Sequence, residues 1–174
     1  EPSTRQHNAG FSMLEHYRSG FDLSELMNEV NTLLLSIASN LDPESQYVSY
    51  ASLFLDNLGF NPHTISNQKL QGQLQHNVPE FTGELNRQAS LDLLMTHCIE
   101  PIFPSNHLTF VYDYPATQSA LSKVEVSQDN PDILLAKRFE VYAGKLELGN
   151  GYQELTSADG NKAVLQDELV ARES

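Results

Sequence analysis

The sequence predicts an α+β fold in which helices flank an antiparallel β-sheet. Three observations predict it. Segments rich in β-forming residues lie toward both ends of the 174-residue chain, amphipathic stripes with helical spacing fill the middle, and a glycine turn folds one late segment into a hairpin. Strands joined by a tight turn run antiparallel, and helices cover the apolar face of such a sheet.

The first two thirds of the chain carry one predicted strand and three predicted helices. Alternation over Phe11–Tyr17 favours a strand. Asp22 can cap a helix whose apolar stripe runs from Leu23 to Leu41, because Glu25 lies three residues on. A second helix covers Ser49–Leu58 and ends at Gly59, and a third covers Asn86–Cys98 before Pro101 and Pro104. Residues 61–84 are polar and predict a surface segment.

The last third carries the strands of the hairpin. Leu108–Tyr114 is a strand that stops at Pro115, and Arg138–Leu148 folds back at Ala143 and Gly144. That turn puts Glu140 directly opposite Glu147, and facing like charges are destabilising. The pair therefore indicates either a divalent cation held by two carboxylates or two solvated glutamates on an outer face, and spacing alone leaves both open.

Composition narrows the class of protein. The chain has 10 Lys and Arg against 23 Asp and Glu, a formal charge of −13, which argues against a free-standing DNA or RNA binder. Apolar runs such as Leu33–Leu35 are far shorter than the ~20 residues of a membrane span. The single cysteine, Cys98, excludes an internal disulfide and a cysteine zinc cage. A one-domain, soluble, cytoplasmic protein is expected.

Two polar segments are further candidates for ligand binding. Arg5 and His7 lie in a loop just before Phe11, so a cation could meet phosphate there while a ring stacks on a base; Phe11 could equally be plain core. Gly149 and Gly151 bracket Asn150, which allows a close backbone approach to a ligand or simply makes a turn.

Three segments together resemble a known family. Arg5–Tyr17, with the letters RQHNAGFSMLEHY, is similar to motif 2 of class II lysyl-tRNA synthetases and their paralogues. RFEVY from Arg138 and ELGNGYQEL from Glu147 resemble the metal and amino-acid segment of the same family. Phe110–Leu121 resembles the short branch of this family whose members modify elongation factor P.

The resemblance implies an ATP-dependent ligase that forms an aminoacyl-adenylate from lysine or β-lysine. It implies transfer to a lysine of elongation factor P, or in the alternative to tRNA-Lys, by a homodimer with no membrane or DNA partner. No residue is expected to act by acid–base or covalent catalysis, since positioning and charge neutralisation suffice. The implied contacts are ATP with Glu1, Arg5, His7 and Phe11; the amino acid with Glu15, Tyr17, Asn150, Tyr152 and Glu154; and Mg²⁺ with Glu140 and Glu147.

The chain also departs from the family pattern. Ala9 and Gly10 replace the usual Pro-Glu of motif 2, and motifs 1 and 3 are not found. Residues 1–174 are therefore expected to be part of a catalytic domain and inactive alone. The alternatives that stay open are an elongation factor P ligase, a lysyl-tRNA synthetase core and a non-catalytic binding module. Gly149, expected beside the amino acid, leaves α-lysine and β-lysine undecided.

Overall fold

The computed structural model describes residue 10 and residues 12–156. Within them a five-stranded sheet is covered by helices on both faces. The elements in chain order are α1 (Leu23–Ile37), β1 (Gln46–Ser49), α2 (Tyr50–Leu58), α3 (Asn67–Asn77), α4 (Arg87–Leu94), β2 (Leu108–Pro115), β3 (Val124–Val126), β4 (Leu134–Ala143) and β5 (Leu146–Tyr152). This confirms the predicted α+β class.

The sheet is mixed, which corrects the expectation of a fully antiparallel one. The strand order is β1-β2-β4-β3, and β5 also pairs with β4. β1 runs parallel to β2, with Gln46 opposite Thr109, and the other described pairs are antiparallel. Parallel neighbours need a long crossover, and helices α2 to α4 supply it. The four residues of β1 were too short a run to stand out in the sequence.

The two faces of the sheet have separate cores. Helix α1 covers one face, where Leu23 and Met27 pack with Phe110, Phe139 and Val141. The other face packs against α2, α3 and α4. Its fully buried members include Tyr50, Phe54, Leu70, Leu94, Val111 and Ala136. This second face also carries the polar residues described below.

The helix caps and helix ends predicted at Asp22, Gly59 and Asn86 are confirmed. Asp22 and Glu25 form the predicted capping box at α1, although α1 ends at Ile37, before the end of the apolar stripe at Leu41. Helix α2 stops at Gly59. The third predicted helix starts after its Asn86 cap. It continues as a π-helical turn over Met95–Ile99 and a 3₁₀ turn over Glu100–Ile102.

Two predictions for local structure are wrong. Residues 61–84 contain α3, which buries Leu70 and Leu74; two leucines four residues apart and a Ser66 cap suffice for a helix in this otherwise polar stretch. Ser12–Tyr17 form no strand. Met13 and Tyr17 are 71% and 78% exposed, and an extended segment without a pairing partner or burial is not stable as a strand. Phe11 lies outside the described residues.

The helices of the described part of the chain are all too short or too polar to cross a membrane.

Candidate functional site

A cavity of about 850 Å³ opens on the second face of the sheet. Strand β4, the end of β2, α4 and the turn after β2 form its walls. Its charged and tyrosine side chains are Tyr50, Asp92, Glu100, Tyr114, Arg138, Glu140, Tyr142 and Glu147. Four carboxylates therefore border it, and Arg138 is the one cation that does so among the described residues.

The hairpin of β4 and β5 has a different register from the predicted one. Ala143 pairs with Leu146, so the two turn residues are Gly144 and Lys145 rather than Ala143 and Gly144. Gly144 has a φ of 57°, and its backbone conformation suits the first position of such a turn. The register also shifts between Val141 and Tyr142, where β5 holds one extra residue.

The corrected register separates the two glutamates that were expected to face each other. Glu140 pairs with Asn150, and Glu147 pairs with Tyr142. Directly opposed residues share a face of the sheet, so both carboxylates still border the same cavity. The shifted turn therefore places Glu147 opposite Tyr142 instead of Glu140, although the negative charge of Glu140 still raises the pKa of Glu147.

Glu140 is held by three donors. Its Oε1 accepts from Arg138, its Oε2 accepts from the Tyr114 hydroxyl at 2.7 Å, and the Tyr142 hydroxyl also donates to Oε2. Arg138 additionally lies over the Tyr114 ring, 4.7 Å from its centroid. Such a network fixes the orientation of the carboxylate.

The remaining carboxylates of the cavity resist ionisation. Burial is the largest cause that raises the pKa of Asp92, Glu100 and Glu147, and the negative charge of Glu140 adds to it in each case. Glu147 accepts a hydrogen bond from Asn150 at 3.4 Å, which partly offsets the rise. The cavity therefore has the electrostatic character of a site for positively charged groups.

Replacing Glu100 with Gln is expected to raise the Tm at pH 7.5 and to leave it unchanged near pH 4. The folded chain holds the pKa of Glu100 above its unfolded value of roughly 4. The protonated Glu100 carboxyl group therefore contributes its full stabilisation below that pH, and this stabilisation is lost as the pH rises through the raised pKa. Gln resembles the protonated form at every pH. Thermal unfolding across this pH range checks it, with the exposed Glu84→Gln as control. A Tm gain at both pH values would contradict it.

Asn150 and Tyr152 lie on the cavity face, as their predicted contact with the amino acid requires. Asn150 is opposite Glu140, and Tyr152 is opposite Arg138. Burial and then Glu154, Tyr17 and Glu15 raise the pKa of Tyr152. Glu154 is two residues from Tyr152 in the sequence, whereas Tyr17 and Glu15 come from the segment before α1, and all three lie near enough to Tyr152 to affect its pKa. Four of the five predicted amino-acid contacts therefore lie near one another around Tyr152, and Asn150 lies two residues before Tyr152 on β5.

The predicted ATP contacts Glu1, Arg5, His7 and Phe11 lie outside the described residues. Gly149 lies in β5 rather than in a turn, and an added Cβ would meet Val141 at 4.0 Å. Val141 belongs to the core under α1, so a side chain at position 149 would face α1 rather than the cavity, and the contact of Gly149 with the amino acid stays a prediction.

Several cavity residues were missed in the sequence. Arg138 and Tyr142 are spaced by two from Glu140, so alternation along the strand could have placed them on one face. Tyr114 could not be found that way, because Asp113 has a φ of 57° and turns Tyr114 away from the face of Tyr112. Asp92 and Gln118, which share a 2.8 Å hydrogen bond, give no local signal.

The cavity residues fit a Mg²⁺ ion of the kind that the resemblance implies. Mg²⁺ usually takes one or two carboxylates and fills its other positions with water and substrate phosphates. Glu140 uses three of roughly four acceptor positions on its carboxylate, and Glu147 borders the same cavity. Among the described residues no group of three or more His, Cys, Asp or Glu is placed to hold a metal ion, so Mg²⁺ here would need ligands besides Glu140 and Glu147.

The comparison with known families decides the relationship. A family model described as tRNA synthetases class II (D, K and N) matches residues 1–174. The chain belongs to this class II synthetase family.

Among curated proteins the chain is similar to enzymes named elongation factor P–(R)-β-lysine ligase. It is 37% identical over 167 residues to the one from Pectobacterium carotovorum subsp. carotovorum strain PC1, covering 91% of this chain and 48% of that protein. It is 39% identical over 162 residues to the one from Proteus mirabilis strain HI4320, with 91% and 47% covered. The chain thus spans about half the length of these relatives.

Proposed function

We propose that the protein containing this chain is an ATP-dependent ligase that activates lysine or β-lysine and transfers it to a lysine of elongation factor P. The observation that carries the proposal is the polar face of β4 and β5, where Glu140, Glu147, Asn150 and Tyr152 border or adjoin one cavity in a chain of the class II family. The names of its relatives supply the acceptor.

The proposed reaction has two steps. A carboxylate oxygen of the amino acid attacks the α-phosphorus of ATP, the bond to the β-phosphate bridge oxygen breaks, and pyrophosphate leaves. The acceptor amine then attacks the acyl carbon, loses a proton and displaces AMP. Because charge moves among phosphate oxygens, catalysis comes mainly from positioning and electrostatic stabilisation.

The residues are assigned proposed roles on this basis. Glu1, Arg5, His7 and Phe11 would bind ATP, with Phe11 on the adenine ring. Glu15, Tyr17 and Glu154 would hold the ammonium groups of the amino acid, Asn150 its carboxylate, and Tyr152 would line its pocket. Glu140 and Glu147 would hold Mg²⁺, which when bound supplies positive charge to the phosphates. The extent of the catalytic domain, the homodimer and the cytoplasmic location stay predictions.

The proposal is tested by amino-acid-dependent exchange of pyrophosphate into ATP, with lysine, β-lysine or neither, on this chain and on the longest protein that contains it. We expect exchange in the longer protein only, followed by a mass increase of one lysyl group on elongation factor P. Transfer to tRNA-Lys instead would identify a lysyl-tRNA synthetase. A folded longer protein without exchange would favour a binding module.

A further inference from the structure

One end of the cavity contains a buried hydroxyl without a partner. Tyr50 is 1% exposed and borders the cavity, and its hydroxyl makes no hydrogen bond among the described residues. Its ring is fixed between Phe54 and Tyr114, with centroids at 4.7 and 4.8 Å. An unpaired buried hydroxyl costs free energy, so a ligand that pairs with it would gain binding energy there.

Two further acceptors surround this hydroxyl. Asp92 acts electrostatically on Tyr50, and the Gln118 side chain lies close to Tyr50 without forming a hydrogen bond of normal distance and angle. The Gln118 amide nitrogen donates to Asp92 Oδ1 at 2.8 Å. Asp92 Oδ2 and the amide oxygen of Gln118 accept no hydrogen bond within the described part of the chain. Arg138 donates to the backbone oxygen of Gln118 and to Glu140 instead.

The donor count identifies the class of ligand. A primary ammonium has three N–H donors, which matches the Asp92 carboxylate, the Gln118 amide oxygen and the Tyr50 hydroxyl oxygen. A divalent metal ion matches this end less well, because Asp92 supplies the one carboxylate among these three groups. A positive ligand would also relieve the raised pKa of Asp92.

We propose that Tyr50, Asp92 and Gln118 form a subsite for a primary ammonium group of a substrate. The subsite is separate from the five predicted amino-acid contacts, and the hydrogen bonds of Gln118, Arg138 and Glu140 connect it to the predicted metal residues. The inference rests on the proposed function, under which two molecules could carry this ammonium group: the amino acid that is activated and the acceptor lysine.

The first experiment needs neither ATP nor turnover. NMR titration of this chain with n-butylammonium, and with n-butanol as the uncharged probe, should show binding of the ammonium alone. The Asp92→Asn variant loses a charged hydrogen bond, so its affinity for n-butylammonium should fall by about tenfold or more. Tyr50→Phe should also weaken binding of n-butylammonium. Asp56→Asn, at an exposed residue, is the control for the loss of charge in Asp92→Asn. Tyr112→Phe is the control for Tyr50→Phe, because the ring of Tyr112 lies on the other face of the sheet.

Equal binding of butanol, or unchanged ammonium affinity in a folded Asp92→Asn, would overturn the subsite whether or not the ligase activity exists. In the longer protein, a raised KM for lysine in exchange would assign the subsite to the activated amino acid. Slower transfer with normal exchange would assign it to the acceptor lysine. If neither step changes in Asp92→Asn, the assignment to a substrate is wrong. Absence of exchange in the wild type would refute only the proposed function.

Discussion

Glu140→Gln is expected to reduce amino-acid-dependent ATP–pyrophosphate exchange by about 10²–10³-fold in the longest protein that contains this chain. Gln keeps the length of the side chain and one acceptor oxygen, but it removes the negative charge that would hold a cation against the phosphates. The Arg138, Tyr114 and Tyr142 donors around Glu140 would then share one uncharged acceptor oxygen instead of two carboxylate oxygens. The measurement is the initial rate of exchange at saturating lysine.

Stability must be separated from activity in this experiment. Arg138 and Glu140 are both largely buried, with 21% and 16% of their side chains exposed, and breaking such a pair is destabilising. Glu147→Gln provides the second variant, since it removes a carboxylate whose pKa burial already raises and so should leave the fold intact. Both variants should lose exchange, and Glu84→Gln should keep it. Full exchange in a folded Glu147→Gln would exclude the proposed metal pair.

The elements with strong local signals could be predicted from the sequence. The Asp22 and Glu25 capping box, the Gly59 stop and the Asn86 cap each depend on residues within one turn of the helix end. Strand β2 ends at Pro115 as predicted. Local chemistry fixes these boundaries because the backbone groups at helix ends need nearby partners.

The register of the hairpin could not be predicted in the same way. Ala-Gly and Gly-Lys are both acceptable two-residue turns, and choosing the second moves the cross-strand partner of Tyr142 by two residues, from Lys145 to Glu147. The positive φ of Gly144 and the extra residue in β5 depend on how the whole sheet packs. Tyr114 was missed for a related reason, since the bend at Asp113 breaks the alternation on which strand predictions rely.

The site itself divides between short-range and long-range information. The family resemblance identified Glu15, Tyr17, Tyr152 and Glu154 as amino-acid contacts. Glu15, Tyr17 and Glu154 all lie near enough to Tyr152 to raise its pKa. The roles of these four residues stay predictions. Asp92 belongs to a helix and Gln118 to a turn 26 residues later. Only the packing of α4 against the sheet brings them together, so no spacing rule could have found the Tyr50 subsite.

Gly151→Ala is expected to destabilise the chain by about 1–3 kcal/mol, the usual cost of an overpacked core, which lowers the Tm of a domain of this size by roughly 3–10 °C. A Cβ at this position would lie 2.5 Å from Cε1 of Phe139 and 3.3 Å from Leu26. Phe139 is 1% exposed and packs against Phe110 at 5.8 Å, so its ring has little room to move. Thermal and urea unfolding of the same chain measure the effect.

Gly149→Ala is the matched control, because it adds the same methyl group two residues earlier on the same strand. Its Cβ would meet Val141 at 4.0 Å, an ordinary contact, and replacing a strand glycine by alanine favours folding by up to about 1 kcal/mol. The two variants should therefore shift the Tm in opposite directions. Adding Phe139→Leu to Gly151→Ala should cost less than the sum of the two single changes, since the shorter side chain removes the clash. Equal Tm values for Gly151→Ala and Gly149→Ala would show that β5 is not tightly packed against Phe139. The close approach of β5 to α1 would then not explain the glycine at position 151.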